Sequence, residues 1–210
     1  AGKQSKSLLT ISSDGLKVEP AEPEVPLRGV FVSSRHRDSA SDVERFGRLQ
    51  LSHERFELVE ALKLVEPRLT DVTTIVSGGV PMIYGDIGLG RKLPLSLMGE
   101  GVSRLCAIVL AIADSRDGCT LIDEIENGLH YSVLRRVWEV LARACRAFNV
   151  QLFATTHSRE CAVAAHDVFS ETLDYGFAFH RLDRVKGEIK VKTFDRETLG
   201  TAIIGNMEPR

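Results

Sequence analysis

Apolar strands alternate with amphipathic helices in the middle of the chain. One face of a predicted helix, from about residue 101 to 113, carries apolar residues at helical spacing: Val102, Leu105, Cys106, Val109 and Ile112. The apolar strand CTLI, a second helix from about residue 132 to 148 and the apolar strand VQLFA follow. This alternation predicts right-handed crossovers and a parallel sheet with helices on both faces. Continuously apolar strands are typical of such doubly covered sheets.

The N-terminal pattern is less regular. Residues 1–29 are polar and include KVEPAEPEVP, which favours an extended segment, so we expect the first regular element to be a strand at 30–33. SSRHRDSASD is expected to form a polar loop. HERFELVEALKLVEP then predicts a helix that ends before Pro67. Its apolar residues share helical spacing: Phe56, Val59, Leu62 and Val65.

Period-two patterns predict two antiparallel hairpins. VTTIVS and VPMIYGDI flank Gly78 and Gly79, a two-residue turn suited to the twist of hairpin strands. Near the C-terminus, YGFAFHRL and EIKVKTF are separated by DRVKG and precede the amphipathic segment TLGTAIIG. We therefore divide the chain into an extended segment (1–29), a helix and hairpin region (30–93) and an α/β core with a closing hairpin (94–210).

Composition narrows the function classes. The 27 Lys and Arg residues nearly balance the 29 Asp and Glu residues, so no overall charge draws the 210-residue chain to nucleic acid or to a membrane. The only local cluster that could contact DNA phosphates is better explained as a solvated loop: Arg35, His36, Arg37, Arg45 and Arg48. No apolar run reaches the roughly 18 residues of a membrane span, and four cysteines without a CxxC pair favour a reducing, cytoplasmic setting.

The strongest chemical signal is CTLIDEIENGLH, where an apolar strand ends in two carboxylates. Ligands of open α/β sheets bind at the carboxyl ends of strands, which places Asp123 and Glu124 where chemistry is expected. Asp123 is a candidate Mg²⁺ ligand, and Glu124 a candidate for polarising an attacking water. The plainer alternative is that Asp123 caps the next segment and Glu124 is a solvated turn residue.

Two further segments point to the same edge of the sheet. VQLFATTHS brings His157 to the end of the next strand, where it can contact a phosphate oxygen or a water. PLSLMGEGVSRL runs from a glycine-containing loop into a helix, whose free N–H groups attract anions near Gly99 and Gly101. Alternatively, the glycines only form the turn, Ser158 caps a helix and His157 lies on the surface.

In this order and spacing, the three segments resemble the second half of ABC-type ATPase domains, over roughly residues 94–169. Their amino-acid sequences most resemble those of the SMC-like, AAA-labelled ATPases related to the OLD (overcoming lysogenisation defect) family. The resemblance implies ATP and Mg²⁺ as cofactors, with Asp123 positioning Mg²⁺, Glu124 as catalytic base and His157 as switch histidine. It also implies a D-loop at Glu126, Asn127, Gly128 and His130, and a signature that completes a partner subunit's site at Leu97, Gly99, Glu100, Gly101 and Arg104.

Several positions depart from the ABC pattern. Met98 replaces the signature serine of transporters, Ile125 replaces the proline after the catalytic glutamate, and His130 replaces the D-loop aspartate. The sequence also contains no G-x-x-x-x-G-K-[ST] loop, because GDIGLGRK has different spacing and no Ser or Thr after Lys92. We therefore expect a truncated or split half-domain whose phosphate-binding loop lies upstream.

The resemblance implies a head-to-tail homodimer or a larger ATPase-containing complex, with no membrane association. A role linked to DNA, in repair or in phage defence, and an effector protein as partner are implied by likeness alone. Two other functions stay open. One is a degenerate interaction module with an ATPase fold and no hydrolysis; the other is a metal-dependent nuclease or phosphatase built on Asp123, Glu124 and Glu126.

Overall fold

A computed structural model of the protein describes residues 7–12, 15–20, 28–34, 39–52 and 55–205. Within these ranges ten strands and six α-helices follow in this order: β1 (Ser7–Ser12), β2 (Gly15–Pro20), β3 (Gly29–Val32), α1 (Ser39–Leu51), α2 (Arg55–Leu62), β4 (Asp71–Ser77), β5 (Val80–Asp86), β6 (Leu93–Pro94), α3 (Glu100–Asp114), β7 (Cys119–Ile122), α4 (Leu134–Phe148), β8 (Gln151–Ala154), α5 (Arg159–Ser170), β9 (Phe179–Val185), β10 (Glu188–Phe194) and α6 (Arg196–Ile204). Short 3₁₀ turns at Leu95–Leu97 and Tyr131–Val133 precede α3 and α4.

A parallel three-stranded sheet in the order β3-β7-β8 carries the chemical segments. The predicted α/β class is confirmed, with a parallel sheet, packed helices and short antiparallel hairpins. β7 lies in the middle of the sheet, where its backbone pairs with β3 on one side and with β8 on the other. The helix α3 packs against β3 and β7. Three antiparallel units complete the described part of the chain: β1 with β2, β4 with β5 and β6, and β9 with β10.

The sheet is buried unequally on its two faces. Val32, Thr120 and Ile122 are buried, whereas Phe31 is 46% and Phe153 50% exposed. Phe31, Leu121 and Phe153 are direct neighbours across the three strands, so they form one apolar row on the less covered face. The predicted coverage of both faces is therefore only partial along this row, within the part of the chain that the structure describes.

The core forms around α3, whose buried positions occupy most of its surface. α1, α2 and α4 all pack against it, and α5 packs on α4. Trp138 of α4 donates its indole N–H to the Cys161 carbonyl of α5 at 3.2 Å, which satisfies the buried nitrogen. No helix in the described ranges is both long and apolar enough to cross a bilayer.

Several predicted elements need correction. The first regular element is not the strand at residue 29, because β1 and β2 pair earlier in the chain. α1 begins within the segment predicted as a polar loop. α2 ends at Leu62 rather than before Pro67, and Phe56, one of the apolar residues at helical spacing, is 69% exposed.

Other predictions match the structure. β4 and β5 form the predicted hairpin around Gly78 and Gly79. The C-terminal hairpin is also present, although β9 continues through Val185, so that its turn is only Lys186 and Gly187. All four cysteines are free, in agreement with the prediction of reduced side chains.

At its described positions the basic cluster is paired with acidic side chains of the same chain. Arg45 pairs with Asp42 at 3.1 Å and with Asp114 at 3.5 Å. Arg48 pairs with Asp114 at 2.9 Å. These contacts join α1 to the end of α3, while residues 35–37 of the cluster lie outside the described residues.

The N-terminus of α3 approaches the turn after β7 so closely that glycine is required. A Cβ on Gly101 would lie 2.7 Å from the carbonyl oxygen of Gly128. Gly128 itself has a φ of 75°, and a Cβ there would lie 2.5 Å from Cγ of Glu100. The predicted signature helix and the predicted D-loop are thus in direct contact within one chain.

We expect Gly101→Ala to lower the free energy of unfolding by about 1–3 kcal/mol, because the added methyl overpacks this contact. Urea denaturation of the chain measures the change. Gly47→Ala in α1 is the matched control, because a Cβ at Gly47 meets nothing within 4 Å. That control should be neutral or stabilising by up to about 1 kcal/mol. Equal effects in the two variants would show that α3 is free to shift away from the turn.

Candidate active site

The carboxyl ends of β3, β7 and β8 form one rim, and the backbone ladder continues past the strands. The N–H of Asp123 donates to the Val32 carbonyl at 3.0 Å, and the N–H of Thr155 donates to the Ile122 carbonyl at 2.9 Å. The N–H of Ile125 then donates to the Thr155 carbonyl at 3.0 Å. The turns that follow β7 and β8 are therefore fixed relative to each other.

The Asp123 carboxylate is held at this rim by hydroxyl groups from both neighbouring strands. Ser34, after β3, donates to Oδ2 at 2.6 Å, and Thr155, after β8, donates to Oδ1 at 2.9 Å. The Ser34 hydrogen bond is the largest cause that lowers the pKa of Asp123; Thr155 and the charge of Arg104 act in the same direction, and desolvation opposes them. Asp123 is therefore ionised near neutral pH, as a Mg²⁺ ligand must be.

Glu124 has a strained backbone and an accessible side chain. Its φ of 48° lies in the left-handed region, which a non-glycine residue occupies at a cost of order 1–3 kcal/mol. Its N–H donates to Oγ1 of Thr155 at 2.9 Å, which helps to hold this conformation. The side chain is 41% exposed and therefore available to a ligand in solution.

His157 lies opposite Glu124. Its Nε2 is 3.9 Å from Oε1 of Glu124, and its side chain is 83% exposed. This distance is too long for a direct hydrogen bond, but one bridging water can span such a gap. The prediction that the two side chains share one edge of the sheet is confirmed by this distance, while their chemical roles stay predictions.

Arg104 does not match its predicted position. Its side chain is buried, with 5% of the residue exposed, although it was expected to reach a nucleotide on another subunit. The guanidinium donates to the carbonyls of Ser33 and Asp123 at 2.5 Å each and to that of Glu124 at 3.2 Å. Arg104 therefore supports the rim of its own chain, because carbonyls from the end of β3 and from the turn after β7 accept hydrogen bonds from its Nη1 and Nη2 atoms.

The other predicted signature positions divide into two groups. Gly101 is buried against the Gly128 turn, whereas Leu97 is 71% exposed and Gly99 and Glu100 are also exposed. Gly99 caps α3 with a φ of 107°, a conformation that favours glycine. Leu97, Gly99 and Glu100 are therefore accessible from solvent. Met98 is half-buried against Gly85, which accounts for an apolar residue at this position.

The predicted D-loop residues lie after β7, in the segment that leads to the 3₁₀ turn before α4. Oε1 of Glu126 accepts hydrogen bonds from the backbone N–H groups of His157 and Ser158. Nδ2 of Asn127 donates to the Ser34 carbonyl at 3.2 Å. His130 caps the 3₁₀ turn before α4 and accepts from the Ser132 N–H at 3.3 Å.

Sequence reasoning missed two supporting hydroxyl groups. The sequence analysis places Ser34 in a polar loop and gives Thr155 no role in the site, yet both contact Asp123. Their positions offered a signal, because each directly follows an apolar segment whose carboxyl end would lie at the same rim. Within the described residues, no group of three or more His, Cys, Asp or Glu side chains is arranged to hold a metal ion.

Comparison with known proteins identifies the same class. Residues 11–160 match the family model described as "AAA domain, putative AbiEii toxin, Type IV TA system". An ATP/GTP phosphatase of Helicobacter pylori is 38% identical over 73 residues, which are 33% of this chain and 20% of that protein. The uncharacterized protein MJECL11 of Methanocaldococcus jannaschii is 38% identical over 63 residues, which are 30% of this chain and 55% of that protein. The matched segments thus span about a fifth and about half of these relatives.

Solved structures with the same fold are SMC ATPase heads. A structure from work on ATP-driven dimerization and DNA-stimulated activation of SMC ATPases has a TM-score of 0.53 and 14% identity, and covers 77% of this chain and 96% of its own. The SmcHead bound to the C-winged helix domain of ScpA has a TM-score of 0.51 and 15% identity over 70% and 44% of the two chains. The SMC head domain from Thermotoga maritima has a TM-score of 0.50 and 13% identity over 91% and 69%. Fold and family together support nucleotide hydrolysis as the general class of activity.

We expect Ser34→Ala to raise the pKa of Asp123, because it removes the largest cause of the lowered value. Carbon-13 NMR titration of the Asp123 carboxyl measures the change. The lowered pKa stabilises the fold above the unfolded pKa, and this contribution is lost as pH falls through the folded pKa. The stability difference between wild type and variant should therefore disappear in acid. The Asp195 carboxyl, whose pKa is lowered by Thr198 in α6, is the internal control and should not move. An unchanged Asp123 titration would contradict the assignment of Ser34.

Proposed function

The chain belongs to the AbiEii-like AAA-domain family, and from that premise we propose that it forms the catalytic-carboxylate half of an ATP-hydrolysing domain of the ABC/SMC type. The observation that carries the proposal is the joint rim of Asp123, Glu124 and His157, with Glu124 and His157 3.9 Å apart. The similarity of these segments to the sequences of the OLD family is part of the same proposal.

Each residue of the rim fits a different task in the hydrolysis of ATP. Asp123 is ionised and fixed by two hydroxyl groups, which suits a ligand of Mg²⁺, usually through water. Bound Mg²⁺ would neutralise charge on the phosphate oxygens of ATP. Glu124 is accessible and would accept a proton from an attacking water, a contribution of about 10²- to 10⁴-fold in rate. His157 would orient that water or contact a phosphate oxygen.

Exposed residues at the start of α3 support a site completed between subunits. Leu97 and Gly99 face away from the chain's own core, so they are available to nucleotide held by another copy. We propose a head-to-tail homodimer on this ground. ATP-driven dimerization of the SMC ATPases, which share the fold, is in line with it.

A phosphate-binding loop must come from another polypeptide segment. The sequence contains no G-x-x-x-x-G-K-[ST], and the β- and γ-phosphates need its backbone cradle and lysine. Among the described residues β8 is an edge strand, and Phe153 on it is half exposed. A parallel strand paired with β8 would bring its loop to the rim beside His157, and its side chains would pack beside Phe153.

The proposed biological role is based on proteins that share the fold. DNA stimulates the SMC ATPases that share the fold, so a DNA-linked role, with an effector protein as partner, is the working hypothesis. The four free cysteines fit a reducing, cytoplasmic compartment. A second candidate is an interaction module with an ATPase fold and no hydrolysis, which the missing lysine loop favours. Both candidates make opposite predictions for the experiments below.

We expect the 210-residue chain alone to release little or no phosphate from ATP. Addition of a strand followed by G-x-x-x-x-G-K-[ST], in the same chain or as a separate one, should restore magnesium-dependent turnover. Phosphate release with and without that segment is the measurement. Robust turnover by the chain alone would contradict the need for the loop, whereas no turnover with the segment present would favour the interaction module.

In the complete enzyme, Glu124→Gln should slow hydrolysis by about 10²- to 10⁴-fold while ATP binding survives, because shape is kept and only the base is lost. The variant should accumulate as an ATP-bound dimer. Asp123→Ala should weaken ATP binding as well, because it removes the metal ligand. Phosphate release and sizing chromatography with ATP and Mg²⁺ measure these effects.

Glu188→Gln, on the exposed strand β10, is the matched control and should behave as wild type. Normal hydrolysis in Glu124→Gln would remove Glu124 from the mechanism. A Glu124→Gln variant that binds ATP but stays monomeric at saturating nucleotide would count against the head-to-tail dimer alone.

A further inference from the structure

The carboxylate of Glu126 is directed at the backbone of the loop that carries His157. Oε1 accepts the N–H of His157 at 2.9 Å and the N–H of Ser158 at 3.1 Å. Oε2 is buried, and no hydrogen-bond partner for it is found in the part of the chain that the structure describes. The two hydrogen bonds to Oε1 fix the carboxylate against the loop that carries His157.

Helix capping alone does not account for Glu126. α5 already has an N-cap, because the Ser158 side chain accepts the Cys161 N–H at 3.1 Å. The positive end of the α5 dipole favours a carboxylate nearby, but one of the two bonds from Glu126 goes to His157, which precedes the cap. The restraint therefore acts on the backbone of the residue whose imidazole approaches Glu124.

His157 needs such a restraint from its backbone. With 83% of the side chain exposed, little packing fixes the imidazole, although its distance to Glu124 sets where a water could bind. Glu126 fixes the peptide from which this side chain projects. Glu126 also follows Ile125, whose N–H is bonded to the Thr155 carbonyl, so both ends of the 155–157 loop are tied to the turn after β7.

We infer that Glu126 is a positioning residue for His157, which acts through the two backbone hydrogen bonds and does not touch substrate. The inference rests on the proposed ATPase function. Glu126 is the first residue of the segment from Glu126 to His130, which would face the partner subunit in the proposed dimer. A displacement of that segment would therefore also move His157. The carboxylate thereby couples subunit contact to the geometry of the hydrolysis site.

A double-mutant cycle in the complete enzyme tests this coupling. Glu126→Ala should lower kcat by about 10- to 100-fold, because a small displacement of a reacting group costs rates of this order. KM for ATP should change by less than about threefold. Glu126→Gln keeps an oxygen acceptor for the two N–H groups and should recover most of kcat. In the His157→Ala background, Glu126→Ala should cause no further loss beyond about twofold.

Asp195→Ala is the matched control for general loss of stability. Asp195 is also an acidic residue that accepts an N–H at a helix start, the Thr198 N–H at 2.9 Å, but it caps α6 away from the rim. It should lower the stability of the fold by the amount typical of a lost helix N-cap and leave kcat near the wild-type value. A comparable loss of kcat in Asp195→Ala would show that stability, and not positioning, explains Glu126→Ala.

A second measurement does not depend on ATP hydrolysis. Hydrogen exchange of the His157 and Ser158 amides, followed by NMR on the 210-residue chain, should be at least about tenfold faster in Glu126→Ala and within a fewfold of wild type in Glu126→Gln. Unchanged exchange, or effects of Glu126→Ala and His157→Ala that multiply, would overturn the positioning role. A wild-type complete enzyme that hydrolyses no ATP would instead overturn the proposed function, while the exchange data would still report on the hydrogen bonds.

Discussion

The buried guanidinium of Arg104 is the interaction on which the rest of the site depends. The ends of parallel strands leave carbonyl groups without ladder partners, and such groups are costly when buried. Arg104 satisfies carbonyls from the end of β3 and from the turn after β7, so α3, β3 and β7 meet at one charged group. Arginine suits this position because its planar fork keeps its charge and offers several donors in fixed directions. The contact of Gly101 with Gly128 brings α3 close enough for this arrangement.

Around that centre, the molecule separates residues that support from residues that are open to ligands. Arg104 is buried, and the hydroxyl groups of Ser34 and Thr155 are committed to Asp123. Glu124 and His157 are accessible, and Glu124 has a backbone conformation that a glycine would adopt with less strain. Strain at an accessible carboxylate is stable only when its neighbours fix it, and here the fixation comes from Thr155.

The sequence predicted the elements whose signal is local. The helix α3 and the strands β7 and β8 have strong periodicity and clear boundaries, so their order, the parallel sheet and the shared edge of Glu124 and His157 could be derived from it. α1 was not predicted at all, because Phe46 and Leu49 are its buried residues and Gly47 interrupts it, so packing against α3 supplies what periodicity does not. Arg104 could not be assigned, because a charged residue at one position of a helix does not reveal which carbonyls it will meet in the fold.

The exposure around the rim is in line with the proposal that another segment completes the site. Hydrolysis of ATP benefits when bulk water is kept away from the reacting groups, yet His157 is 83% exposed and Leu97 is 71% exposed. Large apolar side chains such as Phe31 and Phe153 are also open, on the sheet face below that rim. A strand paired with β8 would shield the rim beside His157 and pack beside Phe153, whereas Phe31, two strands away on β3, would need cover from above the sheet. The geometry of Asp123 would change little in this process, because its hydroxyl partners lie on strands that already pair with β7.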